Sequence, residues 1–332
     1  MWLGIASFML TAAMLVTVLF LSMVGTLRTR RAAEYREQLQ SVLLQCLFAL
    51  PPPQPSLPAA RAYQFLKQWN RMHESLGASD AKDNLNNFAR EVGADRIART
   101  YLRSGKLRKQ LIAILTMGNL RDSASRPEVE DFLRHESPVL SLRGAQALLR
   151  IDPNALPQIL DVAAWRIDWP VPRMLSLLRE ASPESVSEHL VRTLDASLEK
   201  SDAEVRVPRL LKLIDAAHAE QVRPSVLRVL HRLVDAETIA AGLAALRHPD
   251  DIALARDYAT HPEWHVRMEA ANALGRLGTR EELPNLLALL GDRNWWVRHR
   301  AARAIVSLPG ASAAQLESIA SALLDRFAVD AL

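Results

Sequence analysis

Apolar and polar positions near the C-terminus follow a pattern that occurs twice. Trp264, Val266, Arg267, Ala270, Ala271, Ala273 and Leu277 recur 31 residues further on as Trp295, Val297, Arg298, Ala301, Ala302, Ala304 and Leu308. The apolar members fall at helical spacing, with alanine where neighbours must approach closely, so each copy predicts one helix of a repeating unit. Val205 with Arg206, Val171 and Val139 take the matching place in weaker upstream copies, and Ile239 fills the gap before Val266. A second series begins at Pro127, Pro157, Pro183, Pro224, Pro249 and Pro284, each opening a short apolar helix. Proline suits a first helical turn because the N–H it lacks would have no intrahelical partner there. The five steps from Pro127 to Pro284 average about 31 residues, the period of the terminal copies. Pro172 and Pro208 predict kinks or late helix starts. Gly is scarce at 12, and no long run alternates apolar with polar residues. The pattern predicts an all-α chain with no strand.

These spacings resemble the HEAT family, in which each unit is an antiparallel helix pair. Asp292, Val297, Arg298, Ala301 and Ala302 fit one copy of the first-helix motif, and Val266, Arg267, Ala270, Ala271, Ala273, Leu274 and Gly275 fit the other. His261 stands where the second copy would carry Asp, which removes one rung of the usual Asp/Arg ladder. The resemblance implies a right-handed α-solenoid of about seven helix pairs between Gly105 and Phe327. Capping helices are expected before it, at Ala59–Leu76, Asp80–Val92 and Ala94–Arg103.

From Trp2 to Leu27 no residue is charged. About 20 apolar residues span a bilayer core, so residues 2–27 predict a single transmembrane helix before the repeats. No Lys or Arg precedes the run, whereas Arg28, Arg30 and Arg31 follow it, which favours an uncleaved anchor over a signal peptide. The resulting expectation is an N-terminus outside and a cytoplasmic repeat array. An arginine-rich, lysine-poor composition points to a bacterial source and would make the membrane the inner one.

Residues 28–50 follow as a juxtamembrane helix, with Tyr35, Leu39, Val42, Leu43, Cys46, Leu47 and Leu50 on one face. That face could pair with a second copy as a homodimer, lie on a membrane, or pack against the first repeats. Residues 51–58 form a proline-rich linker, 59–104 the capping helices and 105–332 the repeat array. Charge divides unevenly within the net +4. Arg28 through Arg121 carry 16 basic and 7 acidic residues, whereas from Asp122 onward there are 25 basic and 30 acidic. The array therefore lacks the basic footprint of a nucleic-acid binder, and no such partner is expected.

No phosphate loop, dinucleotide fingerprint, nucleophile elbow or paired-cysteine site is present, so neither enzymic activity, metal nor cofactor is expected. His261 and His265 stand four apart, but Pro262 takes His261 off the regular helix face. Trp264 and Trp295 recur at one repeat position and are read as gap-fillers between units. Trp296 points about 100° away from Trp295 and is the candidate exposed anchor for a partner. A second candidate patch joins Arg228, His231 and Arg232 to Glu184, Glu188 and His189 of the preceding unit. These features predict a membrane-anchored scaffold for protein partners that are themselves membrane-associated. The alternative is a HEAT-like enzyme or accessory, similar to bilin lyases or glycosylases, acting on a ligand in the concave groove.

Overall fold

A computed structural model describes residues 14, 15, 17, 19, 20, 22, 23, 33–48, 57–77 and 80–309. All regular structure among them is helical. The chain separates into two compact units, 1–129 and 130–332.

The first unit contains α1 (33–45), α2 (Ala59–Ser75), α3 (Asp80–Glu91), α4 (Ala94–Leu102) and α5 (Leu107–Leu120). Phe65, Leu66, Trp69 and His73 recur on one face of α2 at three- and four-residue steps, and all are buried. Phe88 of α3 meets Phe65 with ring centroids 6.1 Å apart. The core carries a neutral polar network. Asn70 donates to Thr116 Oγ1 at 2.8 Å, Asn119 donates to Asn70 Oδ1 at 2.8 Å, and Trp69 Nε1 donates to the Leu85 carbonyl at 3.0 Å. α1 buries Leu39, Leu43 and Cys46, the Arg61 guanidinium of α2 covers the Tyr35 ring, and Gln68 donates to the Arg36 carbonyl. Burial pushes the Cys46 thiol up to about 11, so it behaves as a small apolar side chain. The turn into α4 uses Gly93 at φ 76°, which a side chain would strain.

A helix over Arg126–Leu133, α6, contains the division between the units. The second unit continues as helix pairs: α7 (Pro138–Ile151) with α8 (Leu156–Ala163), α9 (Val171–Leu178) with α10 (Pro183–Leu198), and α11 (Ala203–Leu211) with α12 (Ala219–Arg232). Next come α13 (Ala236–Ala245) with α14 (Ile252–Asp257) and α15 (Trp264–Leu277) with α16 (Leu283–Leu290), then α17 (Trp295–Ser307). First helices α11, α13, α15 and α17 stand side by side, and so do second helices α8, α10 and α12. Small residues permit the approach. A Cβ on Gly275 would lie 2.5 Å from the Ala304 Cβ, and one on Gly242 would lie 2.6 Å from Leu230 Cδ2. Ala270, Ala271, Ala301 and Ala302 are fully buried for the same reason.

Several expectations need correction. No helix among the described residues is long and apolar enough to cross a membrane, so the transmembrane helix over 2–27 has no support. The single-pass localisation and the membrane partnership that rested on it go with it. Spanning needs an unbroken apolar helix of about 20 residues, and the described positions there are only Met14, Leu15, Thr17, Leu19, Phe20, Ser22 and Met23. Arg28, Arg30 and Arg31, and the linker residues 51–56, lie outside the described residues. Helix α5, expected to open the repeats, packs with α2 and α4 in the first unit. The residues expected to complete the last pair, after 309, lie outside the described ones.

Proline placement differs too. Pro127, Pro157, Pro183 and Pro284 stand at the first or second position of α6, α8, α10 and α16, but Pro224 lies inside α12 and Pro208 inside α11. Pro249 opens a 3-10 turn ahead of α14.

Candidate partner-binding surface

The joints of the last repeats are built on arginine. Arg267 of α15 donates through Nε and Nη2 to the two oxygens of Asp292, at 2.6 and 2.9 Å. Its Nη1 donates to the carbonyls of His261 and Pro262. Arg298, one repeat on, donates Nη1 to the carbonyls of Asp292 and Arg293, which are the equivalent positions. The loop contact thus survives the histidine at position 261, because it uses backbone oxygen. Two further forks tie second helices to the next 3-10 turn: Arg223 to Asp251, with contacts of 2.7 to 3.1 Å, and Arg256 to Glu282, with Nε 3.0 Å from each oxygen. The carboxylates are buried and the pairing is planar and two-toothed, the arrangement guanidinium favours. The hydrogen bond from Arg256 holds the Glu282 carboxyl below its ordinary range against the opposing effect of burial. For Asp292 burial is the largest influence and pushes upward, but the Arg267 hydrogen bond, the Asn294 backbone and the nearby arginine charges together hold it low.

The tryptophans sort differently from the sequence reading. Trp296 is 52% exposed, as its phase relative to Val297 requires. Trp295 is half-buried and stacks on His299 with centroids 5.2 Å apart. Trp264, however, is exposed at 38% and does not fill a gap between units. It opens α15, one turn before the neighbouring helix begins to cover that face. Trp264 packs edge-on against His265, and Trp295 edge-on against Trp296, so the two helix starts present a cluster of aromatic rings. Arg293 donates to the Pro262 carbonyl and links the loops beneath them.

An exposed apolar side chain recurs at each first helix. Val139 stands in the first turn of α7, Ile167 ahead of α9, Val205 in α11, Val234 ahead of α13, Trp264 in α15 and Trp296 in α17, all exposed. The five steps average about 31 residues. Single exposed apolar residues are ordinary on a protein surface, whereas recurrence at the repeat period is not. The sequence reading placed Val139 and Val205 in the core series. The buried partners of Val266 are instead Leu140 in α7 and Ala203 in α11, shifts of one and two residues. A one-residue shift is a 100° turn, enough to move the valine from core to solvent.

The second expected patch is not assembled as supposed. Arg228 pairs with Asp195, Arg232 with Glu199 and His218 with Glu184, while Glu188 pairs with Arg192 on its own helix. Helices α10 and α12 lie parallel in this register, so Arg228, His231 and Arg232 are at the opposite end from Glu184, Glu188 and His189. The exposed charges largely satisfy one another. A cleft of about 250 Å³ between α12 and the turn after α13 is lined by Glu220, Arg223, Arg247, His248 and Asp251. Its arginines are committed: Arg223 to Asp251, and Arg247 to Asp215 and the carbonyls of Ala244 and Leu246. Among the described residues no group of three or more His, Cys, Asp or Glu side chains could hold a metal ion.

Residues 234–306 match the family model for HEAT repeats. The match spans α13 to α17, the helices with the arginine–aspartate joint and the two aromatic starts. No curated protein matches the chain. Among solved structures, human deoxyhypusine hydroxylase in complex with glycerol is 17% identical, over 82% of this chain and 96% of that one, with a TM-score of 0.31. An engineered protein is 14% identical, over 90% and 93%, with a TM-score of 0.34. Likenesses of this degree carry no argument about what the chain does.

Proposed function

We propose that this protein is a helical-repeat scaffold that holds a protein partner against the starts of its first helices. The observation that carries the reading is the exposed apolar side chain recurring at Val139, Ile167, Val205, Val234, Trp264 and Trp296. Large aromatic side chains dominate the energetics of protein contacts, and two of the six positions are tryptophan. Catalysis is not part of this reading. Site-specific photo-crosslinking tests it: a photoreactive residue at Val139, Val205 or Trp264 captures the partner, and one at Arg232 on α12 does not. Capture from Arg232 alone would move the interface to the second helices and overturn the proposal.

A further inference from the structure

We propose that the outer face of α17 binds an acidic peptide segment of the partner, with an apolar side chain of that segment seated against Trp296. This rests on the scaffold reading and adds the chemistry of what is bound.

The argument begins with charge along the second unit. Residues 130–292 hold 19 basic against 25 acidic side chains, a net of −6, whereas residues 293–309 hold four arginines and no carboxylate. Positive charge on this unit is therefore concentrated at one place. Trp296, Arg300 and Arg303 are spaced four and three apart, which brings them onto one stripe of α17, with Arg293 just ahead of it. Arg303 is exposed and Arg300 half-buried. Among the described residues neither forms an ion pair or a side-chain hydrogen bond. Arg293 gives its guanidinium to a neutral carbonyl, that of Pro262, at 3.4 Å.

The contrast with the preceding arginines is direct. Arg223, Arg256 and Arg267 each meet a carboxylate of the following repeat within the chain. On the α17 stripe that position is open to a carboxylate from outside. Beside it lies an aromatic wall of Trp295, Trp296 and His299, and the His299 Nδ1 is buried with no hydrogen-bond partner. Planar guanidinium groups beside an exposed indole recognise a carboxylate and an apolar anchor together. A long polyanion fits less well. Nucleic acid or an anionic bilayer reaching beyond α17 would meet the net negative charge of residues 130–292, whereas a short acidic segment need not.

The test is selection of random dodecapeptides on the full-length protein, followed by titration of the selected peptides labelled with a fluorophore. Selected sequences are expected to be rich in Asp and Glu around a single aromatic or leucine. Trp296→Ala is expected to weaken them about 30-fold, the equivalent of a 2 kcal/mol hot spot. Arg300→Glu with Arg303→Glu is expected to abolish binding while leaving the helical circular dichroism and thermal midpoint unchanged. Short single-stranded DNA and phosphatidylserine vesicles serve as the other polyanions. Failure to select peptides, selection without acidic enrichment, or binding indifferent to the charge reversal would overturn the inference. Tighter, equally variant-sensitive binding of the DNA or the vesicles would overturn it as well. If the charge reversal leaves photo-crosslinking at Val139 and Val205 intact while the peptide result is negative, the scaffold reading stands and only the chemistry assigned to α17 is lost.

Discussion

The two units hold their interiors together with different chemistry. In the first, Asn70, Thr116, Asn119 and Trp69 make a buried network of neutral hydrogen bonds, and ion pairs such as Arg99 with Asp122 lie towards its surface. In the last repeats of the second, Arg223, Arg256 and Arg267 carry the joints through forked contacts to Asp251, Glu282 and Asp292. A neutral network depends on geometry alone, whereas an ion pair depends also on protonation. The difference teaches that one chain can contain regions of similar helix content with opposite responses to pH.

Acid gives the largest expected separation. Glu282 and Asp292 have folded-state values below the ordinary carboxylate range. Their stabilisation is complete above the unfolded-state values, about pH 4, and is lost as pH falls through the lowered folded values. On acidification, amide exchange protection in α13–α17 is expected to fall before that of α2–α5. Simultaneous loss in both regions would remove the distinction.

Removing one partner comes next. Arg267→Ala leaves Asp292 buried without its counter-ion, and both side chains are less than 10% exposed. A cost of about 3–5 kcal/mol is expected, read from denaturant unfolding and confined to the last repeats. A cost below about 1 kcal/mol would show that the joint is held by apolar packing instead.

The smallest effect belongs to the first unit. Asn70→Ala deprives Asn119 of its acceptor and Thr116 of a donor, at about 1–3 kcal/mol. The loss is expected to be the same at pH 5 and pH 8, since no member of the trio titrates there. A pH-dependent loss would mean that the two units are not chemically distinct in the way described.

How far the sequence reaches is clear from particular residues. Val266 and Val297, with the alanines that follow them, are buried as their 31-residue recurrence requires, because a repeated close contact tolerates only small side chains at those sites. The exposure of Trp296 was legible from its phase beside Val297. The weaker copies were not: Val139 and Val205 read as core residues until Leu140 and Ala203 were seen to take the place. Periodicity locates a helix to within a residue or two, but a burial face must be set to within a fraction of a turn, and only the neighbouring helix sets it. The pairing of Arg228 with Asp195, rather than with Glu184 or Glu188, depends on the parallel register of α10 and α12.

By itself the sequence determined the helical class, the period and the closely packed small residues, since these follow from spacings within one or two turns. Only the tertiary structure decided which apolar residues face outward, which arginines are neutralised and which remain open on α17. Those outcomes depend on side chains about 30 residues apart in sequence, brought together by the stacking of one repeat on the next.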